Sequence, residues 1–97
     1  MGLIDDIQTL ETRYEAGQPV GRDLCRALAR MVVRKTSKGL CRYWLEELLR
    51  VAEAEGIYAE FVSAAGGVDP ARLGVWDAQR AVEAWLERAP GKEATDA

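Results

Sequence analysis

Arg22, Arg26, Arg30 and Arg34 stand four residues apart, and Val20, Leu24, Leu28 and Met31 run through the same stretch at spacings of four, four and three. On an α-helix each set forms a stripe, and a two-residue offset turns one stripe about 200° from the other. The segment is therefore expected to be a helix over residues 20–35, with an apolar inner face that also takes Ala27 and a basic outer face. A helix that strongly two-sided must pack against other elements, which sets the class of fold.

The basic run continues through Lys35, Lys38 and Arg42. Residues 20–44 hold seven basic side chains and one acidic one, Asp23, a local charge of +6 inside a remainder of −9; the whole chain is −3. Like charges at i,i+4 repel by a few tenths of a kcal/mol per pair. Two things would offset that cost: acidic helices of the same chain, notably Glu11 and Glu15, or an anion outside it.

The other segments carry helical patterns too. Leu3, Ile7, Leu10 and Tyr14 form a seam over residues 2–16, with Asp5 and Asp6 at the positive end of that helix and Gly17 and Pro19 ending it. Thr36 or Ser37 is the expected N-cap of a helix over about 38–55 that buries Cys41, Trp44, Leu45, Leu48 and Ala52 and pairs Arg42 with Glu46 and Glu46 with Arg50 on its outer side. Gly56 stops it. A short helix over 57–65 carries Ile57, Tyr58, Phe61 and Val62 and ends at Gly66-Gly67. Asp69-Pro70 reads as N-cap and first turn of a last helix reaching about Arg88. Its apolar sector holds Val75, Ala78, Val82, Trp85, Leu86 and Ala89, with Trp76 on the flank and Leu73 further round. The expected fold is all-α, a compact bundle of four to five short amphipathic helices: one helical domain over 1–89, then a flexible, frayed C-terminal tail over 90–97.

Composition narrows the functional classes. With 97 residues, 48% hydrophobic and 30% charged, the chain can build one core without a metal or disulfide. No apolar run approaches the roughly 20 residues of a membrane span. Met1 to Asp6 carries two acids and no basic leader, so a cytoplasmic location is expected. There is no histidine, which removes the commonest general base and metal ligand. Cys25 and Cys41 are too far apart along a helical hairpin for a disulfide and are expected as buried thiols. Glu46 and Glu47 point about 100° apart and cannot share a proton. Gly66-Gly67 lies in no phosphate-loop pattern, and Ser37 and Ser63 have no base to activate them. No catalytic residue, cofactor or metal is expected.

Binding is the remaining class. The expected partner-binding residues are Arg22, Arg26, Arg30, Arg34, Lys38 and Arg42, with Trp76 as an apolar anchor beside Leu73, since Arg and Trp dominate binding hot spots. The expected partner is an acidic protein surface or a nucleoprotein complex. A chain of this size without an active site suits an adaptor, an assembly factor or a protein inhibitor, a class that includes small phage-encoded proteins; that comparison rests on size and class alone. Direct nucleic-acid binding is the second reading. Residues 24–49 have a helix–turn–helix outline, but the second helix lacks the Asn, Gln and Arg set that reads base edges, and the pI is near 5.0. Self-association of a monomer into a homodimer through the first-helix seam is the third.

Overall fold

The computed structural model describes residues 2–88 and is all-α: five helices and one 3₁₀ turn, with no strand among the described residues. The order is α1 (Leu3–Glu15), α2 (Gly21–Arg34), α3 (Lys38–Ala54), α4 (Tyr58–Ala64), the 3₁₀ turn Pro70–Arg72, and α5 (Val75–Glu87). Ala89 and the tail over 90–97 lie outside the described residues.

Helix α2 is the centre of the bundle. It packs against α1, α3 and α5, while α4 leans on α5 and α3. Being enclosed on three sides, α2 buries Leu24, Cys25, Leu28, Ala29 and Val32 almost completely. Alanine at position 29 allows a neighbouring helix to approach closely. Ile7 from α1, Leu45 and Leu48 from α3, Phe61 from α4, and Val75, Val82 and Trp85 from α5 complete one buried cluster. Leu3, Leu10, Tyr14 and Trp44 flank that cluster and are half-buried. Trp44 thus covers the side of α3 rather than filling the core, with its ring edge-on to the exposed Tyr43.

Glycines end two helices as expected. At Gly17, φ is +87°; its N–H donates to Tyr14 O, and the Gln18 N–H reaches back to Arg13 O. At Gly56, φ is +76°, with Gly56 N–H donating to Glu53 O and Ile57 N–H to Ala52 O. A left-handed residue at this position satisfies carbonyls the helix leaves open and turns the chain sharply, and only glycine does so without strain. Gly21 serves a different purpose. The Glu55 side chain crosses its face where any Cβ would collide, and the interaction of the same carboxylate with the Tyr14 hydroxyl is the first cause that raises that group's pKa. One acid thus links the end of α3 to α1 and the start of α2.

The start of the last helix differs from expectation. Asp69 does cap, its Oδ1 accepting from the Ala71 N–H at 3.0 Å, but it caps only the 3₁₀ turn. The chain then extends through Leu73 and Gly74, and α5 begins at Val75 with Gly74 as N-cap. Glycine is about 1 kcal/mol poorer than alanine inside a helix, which favours a break there. Asp69 also accepts from the Tyr58 hydroxyl, so the turn is tied to α4. Burial first, and this hydrogen bond second, push the Tyr58 phenol up to about 12. Ser37 holds the N-cap position of α3, but its side chain makes no capping bond. The outer side of α3 also pairs differently: Arg50 takes Glu47, one helical turn back, in place of Glu46.

The two cysteines are free and buried. Burial pushes the Cys25 thiol up to about 12, and the Cys41 thiol is raised for the same reason. Cys41 Sγ donates to Val32 O. Thiols so protonated are poor nucleophiles and act here as small apolar residues. Among the described residues no helix is long and apolar enough to cross a membrane.

Candidate partner-binding face

The arginine ladder is not one uniform stripe. Four residues advance a helix by slightly more than a turn, about 40° per step, so from Arg22 to Arg34 the row winds roughly a third of the way round α2. The structure divides it accordingly.

Arg22, at the start, is used internally. Its Nη1 and Nη2 donate to Glu60 Oε1 and Oε2 of α4 at 3.0 and 2.8 Å. Glu60 Oε1 also accepts the indole N–H of Trp85 at 3.0 Å. One carboxylate therefore ties α2, α4 and α5 together. The Arg22 guanidinium holds the Glu60 carboxyl below its ordinary range, and the Trp85 N–H adds to the effect. Such a bidentate pair is directional, and it engages the Arg22 guanidinium within the chain.

Arg26 is held weakly by Asp23 at 3.4 Å, one turn back on the same helix. With Arg30 it borders a hollow of about 350 Å³ between α1 and α2, whose other lining residues are Asp6, Thr9, Leu10, Asp23 and Ala27. Two acids face two bases there, so the charge nearly balances. The expected pairing with Glu11 or Glu15 does not occur. Those residues lie near Tyr14 and Arg50 on the other side of α1.

Arg30, Arg34, Lys38 and Arg42 are exposed, and among the described residues none of them makes an ion pair. Arg34 ends α2, and Lys38 and Arg42 lie in the first two turns of α3. Gln79 of α5 fixes that corner: its amide donates to Val32 O at 2.9 Å and Lys35 O at 2.8 Å, capping the carbonyl end of α2. This contact brings the start of α5 beside the start of α3. There Lys38, Arg42, Gly74, Val75, Trp76, Asp77 and Arg80 enclose an open cleft of about 390 Å³. Arg80 is paired with Asp77 at 2.7 Å. Trp76 is 39% exposed, and its ring is in neither of the two aromatic pairs of the described residues.

Lys38, Arg42 and Trp76, all read from the sequence, thus meet at one place. Leu73 does not join Trp76 as an exposed anchor; it is half-buried against the core. Three contributors escaped the sequence reading. Arg80 lies four residues after Trp76 and so shares its helix face, a spacing that was there to be used. Glu60 and Gln79 act across 38 and 44 or more residues of chain and leave no local signal.

Among the described residues no three His, Cys, Asp or Glu side chains group as metal ligands. Ser63 Oγ accepts from the guanidinium of Arg88 at 3.5 Å, a group that stays protonated and cannot activate it. No family model matches the chain, and no curated protein or solved structure shows significant similarity to it.

The Glu60 pair has a pH signature. Because the folded pKa is depressed, its stabilisation is fully present above the ordinary carboxylate value and is lost as the pH falls through the folded one. Both partners are about one-third exposed, so the contribution is that of a screened pair, about 0.5–1 kcal/mol. Glu60→Gln keeps an acceptor for Trp85 but removes the charge. Its loss of stability between pH 7 and pH 3, from urea midpoints, is expected to be smaller than wild type's by about that amount. An equal loss in both proteins would show that Glu60 does not carry this acid sensitivity.

Proposed function

We propose that this chain is a non-catalytic helical module that binds an acidic surface of a macromolecular partner through its exposed basic face. The observation that supports the reading is that Arg30, Arg34, Lys38 and Arg42 make no ion pair among the described residues. The chain has more acids than bases, and it uses one of them to neutralise Arg22, yet it leaves four exposed cations in succession along the exit of α2 and the entry of α3. The repulsion within the pairs Arg30–Arg34 on α2 and Lys38–Arg42 on α3 is offset on binding an opposite surface.

A nucleic-acid backbone fits this face less well. Asp6 and Asp23 border the Arg26–Arg30 hollow and would meet successive phosphates. The rest of the chain is strongly negative, and a long polyanion would approach that charge as well.

The test is capture from a lysate of the source cells with wild type and an Arg30→Glu/Arg34→Glu variant, with and without nuclease, after circular dichroism has shown that both fold. Both positions are exposed, so folding should be kept. The expected result is a protein retained by wild type under nuclease and reduced at least about tenfold by the variant. Equal capture by the two proteins overturns the reading. Capture abolished by nuclease replaces it with nucleic-acid binding.

A further inference from the structure

We infer that the cleft between the starts of α3 and α5 is the anchoring pocket of this face, and that it takes a short acidic segment of a partner protein in which carboxylates flank an aromatic residue. The inference rests on the reading of the basic face as a protein-docking surface and adds the chemistry of what docks.

Two features of the cleft select that occupant. The first is charge. Lys38 and Arg42 are one turn apart on α3, exposed and free of intramolecular pairing among the described residues. Arg80 stands across the cleft with Asp77 already against it, so the net charge offered is about that of two cations. Two or three carboxylates match that number, whereas a run of phosphates exceeds it. Arg42 can take a carboxylate in a two-bond fork and Lys38 as a point charge.

The second is the indole. Trp76 lines the cleft and is 39% exposed, next to the buried Val75 and beside Gly74, which carries no side chain to obstruct approach. An exposed indole at the rim of a polar hollow is well suited to receive a flat ring, by stacking and by removing both rings from water. About 390 Å³ is near the lower end for ligand pockets and accommodates one side chain with its neighbours rather than a folded element. The hollow at Arg26 and Arg30 offers neither feature, since its two acids cancel its bases and it holds no aromatic residue.

The probe is the blocked peptide Gly-Asp-Phe-Asp-Gly, titrated into ¹⁵N-labelled protein, with Gly-Asn-Phe-Asn-Gly as the neutral control. The chain has three tryptophans, and a Trp76→Phe spectrum assigns the indole N–H of position 76. The acidic peptide is expected to move that resonance and the amides of Lys38–Arg42 and Gly74–Arg80, while the Trp85 indole, buried on Phe61, stays in place. Arg42→Glu should weaken the apparent affinity by about tenfold or more, and Trp76→Ala by about fivefold. Both substitutions are at exposed positions, and the same spectra report whether the fold survives. Absence of any shift at Trp76 with millimolar peptide overturns the inference. So does an equal response to the neutral peptide, or an unchanged affinity in Arg42→Glu. Tighter binding of a single-stranded oligonucleotide at the same resonances overturns the acidic-peptide assignment. The two proposals fail separately: the peptide titration needs no lysate partner, and the Arg30→Glu/Arg34→Glu capture experiment leaves the cleft residues intact.

Discussion

Trp85→Ala lowers the free energy of unfolding by about 3–5 kcal/mol. Trp85 is 2% exposed and lies stacked on Phe61, with ring centroids 4.4 Å apart and planes at 26°. Its removal deletes the largest fully buried side chain and leaves a space too large for local collapse to close. It also removes the ring that α5 stacks on Phe61, the one buried residue of the short α4. Glu60 loses its second donor at the same time. A chain of this length is stable by about 5–15 kcal/mol, so at the lower end of that range the variant would populate unfolded chains at room temperature. Urea unfolding followed by circular dichroism measures the loss. Trp85→Phe keeps a ring on Phe61 but lacks the N–H and part of the volume, and its value should fall between wild type and alanine. A loss under 1 kcal/mol in the alanine variant would mean that α5 is not held through this residue.

Much of this architecture was legible in advance because helices announce themselves through one period. The interleaved Arg and Leu sets of residues 20–35 require a two-sided helix, and α2 is one, spanning Gly21–Arg34. Gly17 and Gly56 signal helix ends, because their backbone conformations are those only glycine adopts freely. The start of α5 misled for an equally physical reason. Asp69-Pro70 is a true start signal, but a start signal does not specify how long the helix that follows will be. Gly74 interrupts after one 3₁₀ turn, and the tie from Tyr58 to Asp69 holds the interrupted form.

The candidate site was legible only as a list of charges and one flanking tryptophan, Trp76. Sequence spacing places four arginines on α2, but it cannot say which of them meets a neighbour. The drift of about 40° per four-residue step carries Arg22 to the side where α4 and α5 lie and Arg34 to the open end. The residue that pairs with Arg22 is Glu60, far away in sequence, on a helix of seven residues whose placement depends on the packing of the whole. The cleft at Trp76 arises in the same way. It exists because Gln79 caps the end of α2 and so docks the start of α5 beside Lys38 and Arg42. Tertiary capping of this kind carries no periodic signature.

Leu48→Ala is the second large effect, at about 2–5 kcal/mol. Leu48 has no exposed surface, and it sits in the middle of α3, the helix with the most extensive contact to α2. The transfer term alone, for the three carbons removed, is about 2 kcal/mol at roughly 0.8 per buried methylene. The cavity term depends on whether the neighbours can move into the space. Here they have little freedom. Cys41, Leu45 and Ala52 on the same face of α3 are almost fully buried, and α2 is fixed on its other sides by α1 and α5. The loss should therefore lie in the upper half of the range. It should also differ in kind from the loss at Trp85, whose neighbour α4 is short and packs on fewer elements. In native-state hydrogen exchange, Leu48→Ala should lower protection throughout α2 and α3 together. Trp85→Ala should release α4 first, with α2 and α3 opening only in global unfolding. If both variants lowered protection uniformly by the same amount, the bundle would be a single cooperative unit with no weaker edge at α4. If Leu48→Ala cost less than 1 kcal/mol, the contact between α2 and α3 could not be the core of this fold.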